Sequence, residues 1–129
     1  MVFKNKKHAD RFLSVLEDND FCLIDNELTA SIYLLTRYKR IWKKFEDYLD
    51  EKNGIDPTAF DQFEPHNDVE NALVMAAYDL LFCAGNINLA DLTDKESIPN
   101  EAFFAICNAL VSARFGFDSI SDTAIKQLE

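Results

Sequence analysis

Glycine and proline are scarce in this chain, three of each in 129 residues. An all-β protein needs tight turns at short intervals, and there is too little turn-forming material here to supply them. Histidine is scarcer still, with only His8 and His66. Two histidines without a supporting local motif give no Ser/His/Asp or Cys/His arrangement. There is no Gly-rich phosphate loop, and no carboxylate pair sits where its context would raise one pKa selectively. The sequence therefore offers no positive support for an enzyme, and no cofactor is expected.

The three cysteines, Cys22, Cys83 and Cys107, are odd in number and form no C-x-x-C pair. Cys83 and Cys107 fall in apolar helical patterns, where a free thiol acts as a small hydrophobe. A reduced, cytoplasmic protein is the expectation. The longest apolar run, residues 72–84, is interrupted by Asp79 and has the length of a buried core helix rather than a membrane span. Positive charge near the N-terminus is not followed by an apolar stretch, so no signal peptide is read there.

What is present is a core. Hydrophobic residues make up 48% of the chain, which excludes a disordered composition. The stretch Asn71 to Gly85 carries a single charge, at Asp79, and its apolar side chains cover more than half of a helical circumference. It predicts a central helix, capped by Asn67 or Asp68, with the other helices around it. Residues 4–18 predict an amphipathic helix with His8, Ala9, Phe12, Val15 and Leu16 on one face. Phe21 to Ile24 reads as a buried connector. Asp25 or Asn26 caps a helix to about Tyr38 with Leu28, Ile32 and Leu35 facing in. A further helical segment runs from Arg37 to Lys52, separated from that helix by a bend near Tyr38 or continuous with it. It turns Ile41, Phe45, Tyr48 and Leu49 inward, and Asn53-Gly54 stops it. Asp56-Pro57 opens a short helix carrying Phe60 and Phe63. Leu89 to Leu92 predicts one helical turn. Ser97 caps the last large helix, with Pro99 in its first turn and Gly116 ending it. A short tail helix is read from Ser121, held by Ile125 and Leu128. The sum is one all-α domain over 1–129, of about five helices.

Net charge is −10 and uneven, +3 over residues 1–44 and −13 over 45–129. Such an acidic balance argues against bulk attraction to nucleic acid. The segment 37–44, with Arg37, Lys39, Arg40, Lys43, Lys44, Tyr38 and Trp42, resembles a nucleic-acid patch in composition. The plainer reading is a solvated helix face that meets the acidic strip of residues 46–70, within the chain or across a homodimer. That strip holds Glu46, Asp47, Asp50, Glu51, Asp56, Asp61, Glu64, Asp68 and Glu70, with Lys52 alone as a base. It reads either as solubilising surface or as an imitation of a phosphate backbone. Trp42 falls off the buried line of its helix, and an exposed Trp beside basic residues is an anchor of the kind interfaces use. Trp42, Glu46, Asp47, Asp50, Glu51, Arg40, Lys43 and Lys44 are thus the candidate partner-binding residues.

Three further residues carry specific expectations. Arg114 projects between Phe103 and Cys107 inside an apolar face, and a buried Arg needs a carboxylate. Asp79, at the edge of the central helix's apolar arc, is the candidate partner for an internal ion pair. His8, with Asp10 or with His66-Asn67-Asp68, allows a small metal-assisted hydrolase as an alternative function. No second ligand accompanies it at i+3 or i+4, and a packed, hydrogen-bonded histidine is the favoured reading.

Three pieces occur together: FKNKKHADRF at residues 3–12, ASIYLLT at 30–36, and an apolar helix followed by one ending ARFG at 113–116. On these the chain resembles a family of small uncharacterised proteins of low-GC Gram-positive bacteria and their phages. Members start with an F-x-N-x-x-H-x-x-R-F-like segment and carry a YLLT-like helix. Phe3, Asn5, His8, Arg11 and Phe12 match the first, and Tyr33 to Thr36 the second. The resemblance transfers no catalytic residues and implies a phage or prophage origin. The expected function is a non-enzymatic acidic module, a phage or mobile-element accessory that binds or inhibits a host protein. Nucleic-acid binding through 37–44 is a further alternative.

Overall fold

A computed structural model describes residues 3–116. In chain order the elements are α1 (Lys6–Asp18), a 3-10 turn (Asp20–Ile24), α2 (Asn26–Leu35), α3 (Lys39–Phe45) and a second 3-10 turn (Glu46–Tyr48). They continue with β1 (Leu49–Asp50), β2 (Gly54–Ile55), α4 (Pro57–Gln62), α5 (Asp68–Phe82), α6 (Leu89–Leu92) and α7 (Asn100–Phe115). Among the described residues the fold is all-α apart from one two-residue antiparallel ladder, in which Leu49 faces Ile55 and Asp50 faces Gly54. Among the described residues no helix is long and apolar enough to cross a membrane. The tail helix expected from Ser121 lies outside the described residues.

α1 forms as its pattern predicts. The Asn5 side chain caps it by accepting the His8 N–H, and His8, Ala9, Phe12, Val15 and Leu16 are its buried face. The 3-10 turn that follows is only partly a buried connector: Cys22 is sealed, while Leu23 and Ile24 point outward.

The centre of the core is α2, not the stretch Asn71–Gly85. Every residue from Leu28 to Leu35 is buried, on all sides of the helix. α2 makes its most extensive contacts with α5 and α7, while Leu80 and Leu81 of α5 are only half-buried. Three hydroxyls hide this in the sequence. Ser31 donates to the Glu27 carbonyl at 2.8 Å, Thr36 to the Ile32 carbonyl at 2.7 Å, and Thr29 to the Cys22 carbonyl. Each is satisfied by nearby backbone, so polar residues enter the core without an unpaired group.

The helical segment read through Lys52 ends at Phe45 instead. Asp50 accepts the Asn53 N–H at 2.7 Å, Gly54 takes a positive φ of 72°, and Ile55 is driven into the core. That side-chain-to-backbone turn competes with helix locally, and it converts the predicted helix end into a hairpin. The break before α3 is real, with Tyr38 as its extended N-cap residue. α7 begins two residues later than expected, capped by Pro99 rather than Ser97, whose hydroxyl donates to Asp94.

α5 starts on its expected cap, Asn67, which accepts the Glu70 N–H at 2.9 Å. It ends at Phe82, with Cys83 in the left-handed conformation at φ 54°. Cys83 is therefore an exposed helix terminus and not the small core hydrophobe expected. A side chain there opposes the left-handed backbone that glycine adopts freely. Cys83→Gly is expected to stabilise the fold by about 0.5–1 kcal/mol, read as a raised urea midpoint at unchanged slope. A lowered midpoint would show that Cys83 contributes packing instead.

Candidate functional site

The segments 3–12 and 30–36 meet in space. His8 is fully buried, its Nε2 hydrogen-bonded to the Tyr33 carbonyl at 2.9 Å and its Nδ1 to the Lys4 N–H at 3.0 Å. A backbone N–H can only donate, so Nδ1 is the acceptor and Nε2 carries the proton. The Arg11 guanidinium donates to the Thr36 carbonyl. The rings of Phe3, His8, Phe12 and Tyr33 stand 5.1–6.0 Å apart. The segment 3–12 is thus a clasp over the C-terminal half of α2. Burial, with Arg37, Arg11 and Lys4 adding positive charge, drives the His8 pKa down to about 3 against the support of the Tyr33 carbonyl. Both ring nitrogens are engaged, so His8 is the packed histidine and has no lone pair free for a metal. His66 is exposed and contributes its backbone N–H to the Glu70 carboxylate. No group of three His, Cys, Asp or Glu that could hold a metal exists among the described residues. Burial and the neighbouring Asp25 and Asp20 push the Cys22 thiol up to about 11, away from thiolate chemistry.

The expected Asp79–Arg114 pair does not form. The two Asp79 carboxylate oxygens accept the N–H groups of Asn86 and Ile87 at 2.9 and 2.8 Å, closing the loop after α5. Arg114 is exposed, its guanidinium 5.4 Å from the Phe115 ring centroid. The projection erred because α7 buries its alanines: Ala102, Ala105 and Ala109, with Ile106 and Ser112, face α2 and α5. The large side chains of its opposite face remain outside, Phe104 at 63% and Phe115 at 68% exposure. Phe104, Val111 and Phe115 make an apolar stripe there.

Two ion pairs anchor the basic segment: one reaches outside the acidic strip, and the other is the expected meeting of segment and strip within the chain. Arg37 Nε lies 3.0 Å from Glu101, which also accepts the Tyr38 hydroxyl. Burial raises the Glu101 carboxyl, but those two hydrogen bonds and the Arg37 charge outweigh it and leave it below its usual range. Arg40 Nη1 lies 2.6 Å from the buried Glu70, and Nη2 donates to the Glu64 carbonyl at 2.9 Å. Arg40 is therefore a structural residue rather than a free partner contact, and Glu70 leaves the exposed strip. Lys39, Lys43 and Lys44 remain as the exposed cations of the segment.

Trp42 is the main correction. It is 6% exposed, not a protruding anchor. Because α3 is only seven residues long, it packs through Ile41, Trp42 and Phe45 together. This turns the indole toward α1, where it lines an open groove of about 370 Å³. Arg11, Val15 and Asp18 of α1 form one wall; Glu46 and Asp47 form the other, with Leu49 beside them. Of the residues read from the sequence as partner-binding, the structure brings Trp42, Glu46 and Asp47 into one site. It leaves Asp50 and Glu51 exposed on the adjoining hairpin. Asp18 was missed, and nothing in its local sequence marks it, since only tertiary packing sets the end of α1 beside α3. No protein-family model matches the chain, and comparisons with curated proteins and with solved structures found no match.

Proposed function

We propose that this protein is a non-enzymatic binding module whose working surface is the acidic side running from the Trp42 groove along residues 46–68. The supporting observation is that Glu46, Asp47, Asp50, Glu51, Asp61, Glu64 and Asp68 all stand exposed, while the ion pairs of the described residues use other carboxylates. Unneutralised carboxylates of one sign raise the local potential and favour an encounter with a basic surface. The partner is thus a protein with a positively charged patch, of the kind that nucleic-acid-binding proteins present. The family resemblance supports a role as a phage or mobile-element accessory acting on a host protein in the cytoplasm.

Charge reversal tests this. Asp50 is left in place because it holds the hairpin turn. Glu46→Lys, Asp47→Lys and Glu51→Lys together are expected to reduce capture of partner proteins from a bacterial lysate at least tenfold. Wild-type capture should weaken as salt is raised. Capture that is unchanged by the triple reversal and insensitive to salt would sink the acidic-surface reading.

A further inference from the structure

Within that acidic side the groove between α1 and the turn after α3 has a more specific chemistry. Its carboxylates come from two elements distant in sequence, Asp18 from α1 and Glu46 with Asp47 from the turn. The one cation among them, Arg11, already donates to the Thr36 carbonyl. Three carboxylates against one committed guanidinium leave the groove negative.

The second observation is independent of charge. Trp42 is more than nine-tenths buried, yet its indole N–H has no hydrogen-bond partner among the described residues. Nor is that nitrogen one of the buried atoms sealed from solvent without a partner, a condition met among the described residues only by the Ser112 hydroxyl. The indole nitrogen therefore keeps some contact with solvent, and the groove is an open surface that Trp42 lines. A buried indole N–H normally finds an acceptor, and here the acceptor must come from outside the fold.

These two demands select the ligand. A bare cation would satisfy the carboxylates and leave the N–H unanswered, and the carboxylates do not form a metal-holding group. An anion would satisfy the N–H and meet three negative charges. A cationic side chain beside its own backbone carbonyl answers both. Arginine suits the site better than lysine because its planar guanidinium stacks on an indole and forks between carboxylates. The wall of Val15 and Leu49 can hold its methylene stem. Resting on the protein-binding reading above, we infer that this groove takes an arginine side chain from an exposed segment of a partner protein, whose backbone carbonyl accepts the Trp42 indole N–H.

Trp42 is the only tryptophan in the chain, so its emission reports on the groove directly. The probes are two blocked peptides, one alternating glycine with arginine and one alternating glycine with glutamine. The arginine peptide is expected to change the emission saturably and the glutamine peptide to leave it unchanged. Asp18→Asn with Asp47→Asn should weaken the arginine peptide at least tenfold. The charge-matched pair Glu27→Gln with Glu96→Gln, outside both the groove and the acidic strip, should leave its affinity within about twofold. These residues are exposed, so the variants are expected to fold. Equal weakening by both pairs would overturn the groove assignment while leaving a general acidic surface standing. Absence of any binding of the arginine peptide, by emission or by calorimetry, would overturn both.

Discussion

Between pH 6.5 and pH 4 this protein is expected to lose stability at about 1.4 kcal/mol per pH unit through His8 alone. The unfolded histidine takes up its proton near 6.5, while burial holds the folded one at about 3. The unfolded state binds the proton first, so the contribution is fully present above 6.5 and is lost as pH falls toward 3. Geometry gives the same sign. A proton on Nδ1 would set two donors face to face at the Lys4 N–H, 3.0 Å away. The accumulated loss is about 3–5 kcal/mol by pH 3, a large fraction of the stability of an ordinary domain. Urea midpoints measured at pH 7, 6, 5 and 4 read it. The His8→Gln variant, which cannot take up that proton, should be less stable at pH 7 by about 1–3 kcal/mol and lack this slope. Parallel pH profiles for the two proteins would show that the imidazole is not the titrating group.

The second large effect concerns the centre of the core. Leu34→Ala is expected to cost about 3–5 kcal/mol, because Leu34 is fully buried in a helix packed on both flanks and its removal leaves a cavity. Leu80→Ala on α5 should cost about 1–2 kcal/mol, since Leu80 is half-buried beside the small cleft it shares with Leu110. Denaturant titration of the two variants decides between α2 and α5. If Leu80→Ala costs as much as Leu34→Ala, α2 is not the element around which the core is built.

The helices were legible wherever local rules act alone. Asn67 and Asp25 cap the helices assigned to them, and Asp56 with Pro57 opens α4. The face of α1 follows directly from its periodicity. Legibility failed where tertiary context reverses a local rule. Thr29, Ser31 and Thr36 made α2 look half-polar, although each hydroxyl is answered by a carbonyl within reach. The run 37–52 carries helical spacing, but the Asp50 turn and the burial of Ile55 fold its end into a hairpin. Asp79 looked like half of an internal ion pair, and two backbone N–H groups of its own loop supply its partners instead. The large apolar residues of α7 point Arg114 inward by spacing, but the buried side is lined by alanines, which allow the closer approach to α2.

The candidate site was legible in part for the same reason. Composition located acidic charge near Trp42, and the structure makes a groove of it by shortening α3 and bringing Asp18 across from α1. Burial of Trp42 strengthens the binding reading: a ring held in place loses little freedom on binding, which favours recognition over a loose surface contact. The apolar stripe of Phe104, Val111 and Phe115 is a separate feature of the opposite chemistry, and it contributes nothing to the capture of a basic segment.

The Trp42 indole N–H, from the single tryptophan of the chain, gives one resonance in a nitrogen-proton NMR spectrum. On titration with the arginine peptide that resonance is expected to shift progressively and its proton to exchange more slowly with water. An indole resonance that stays fixed while amides elsewhere move would contradict the account.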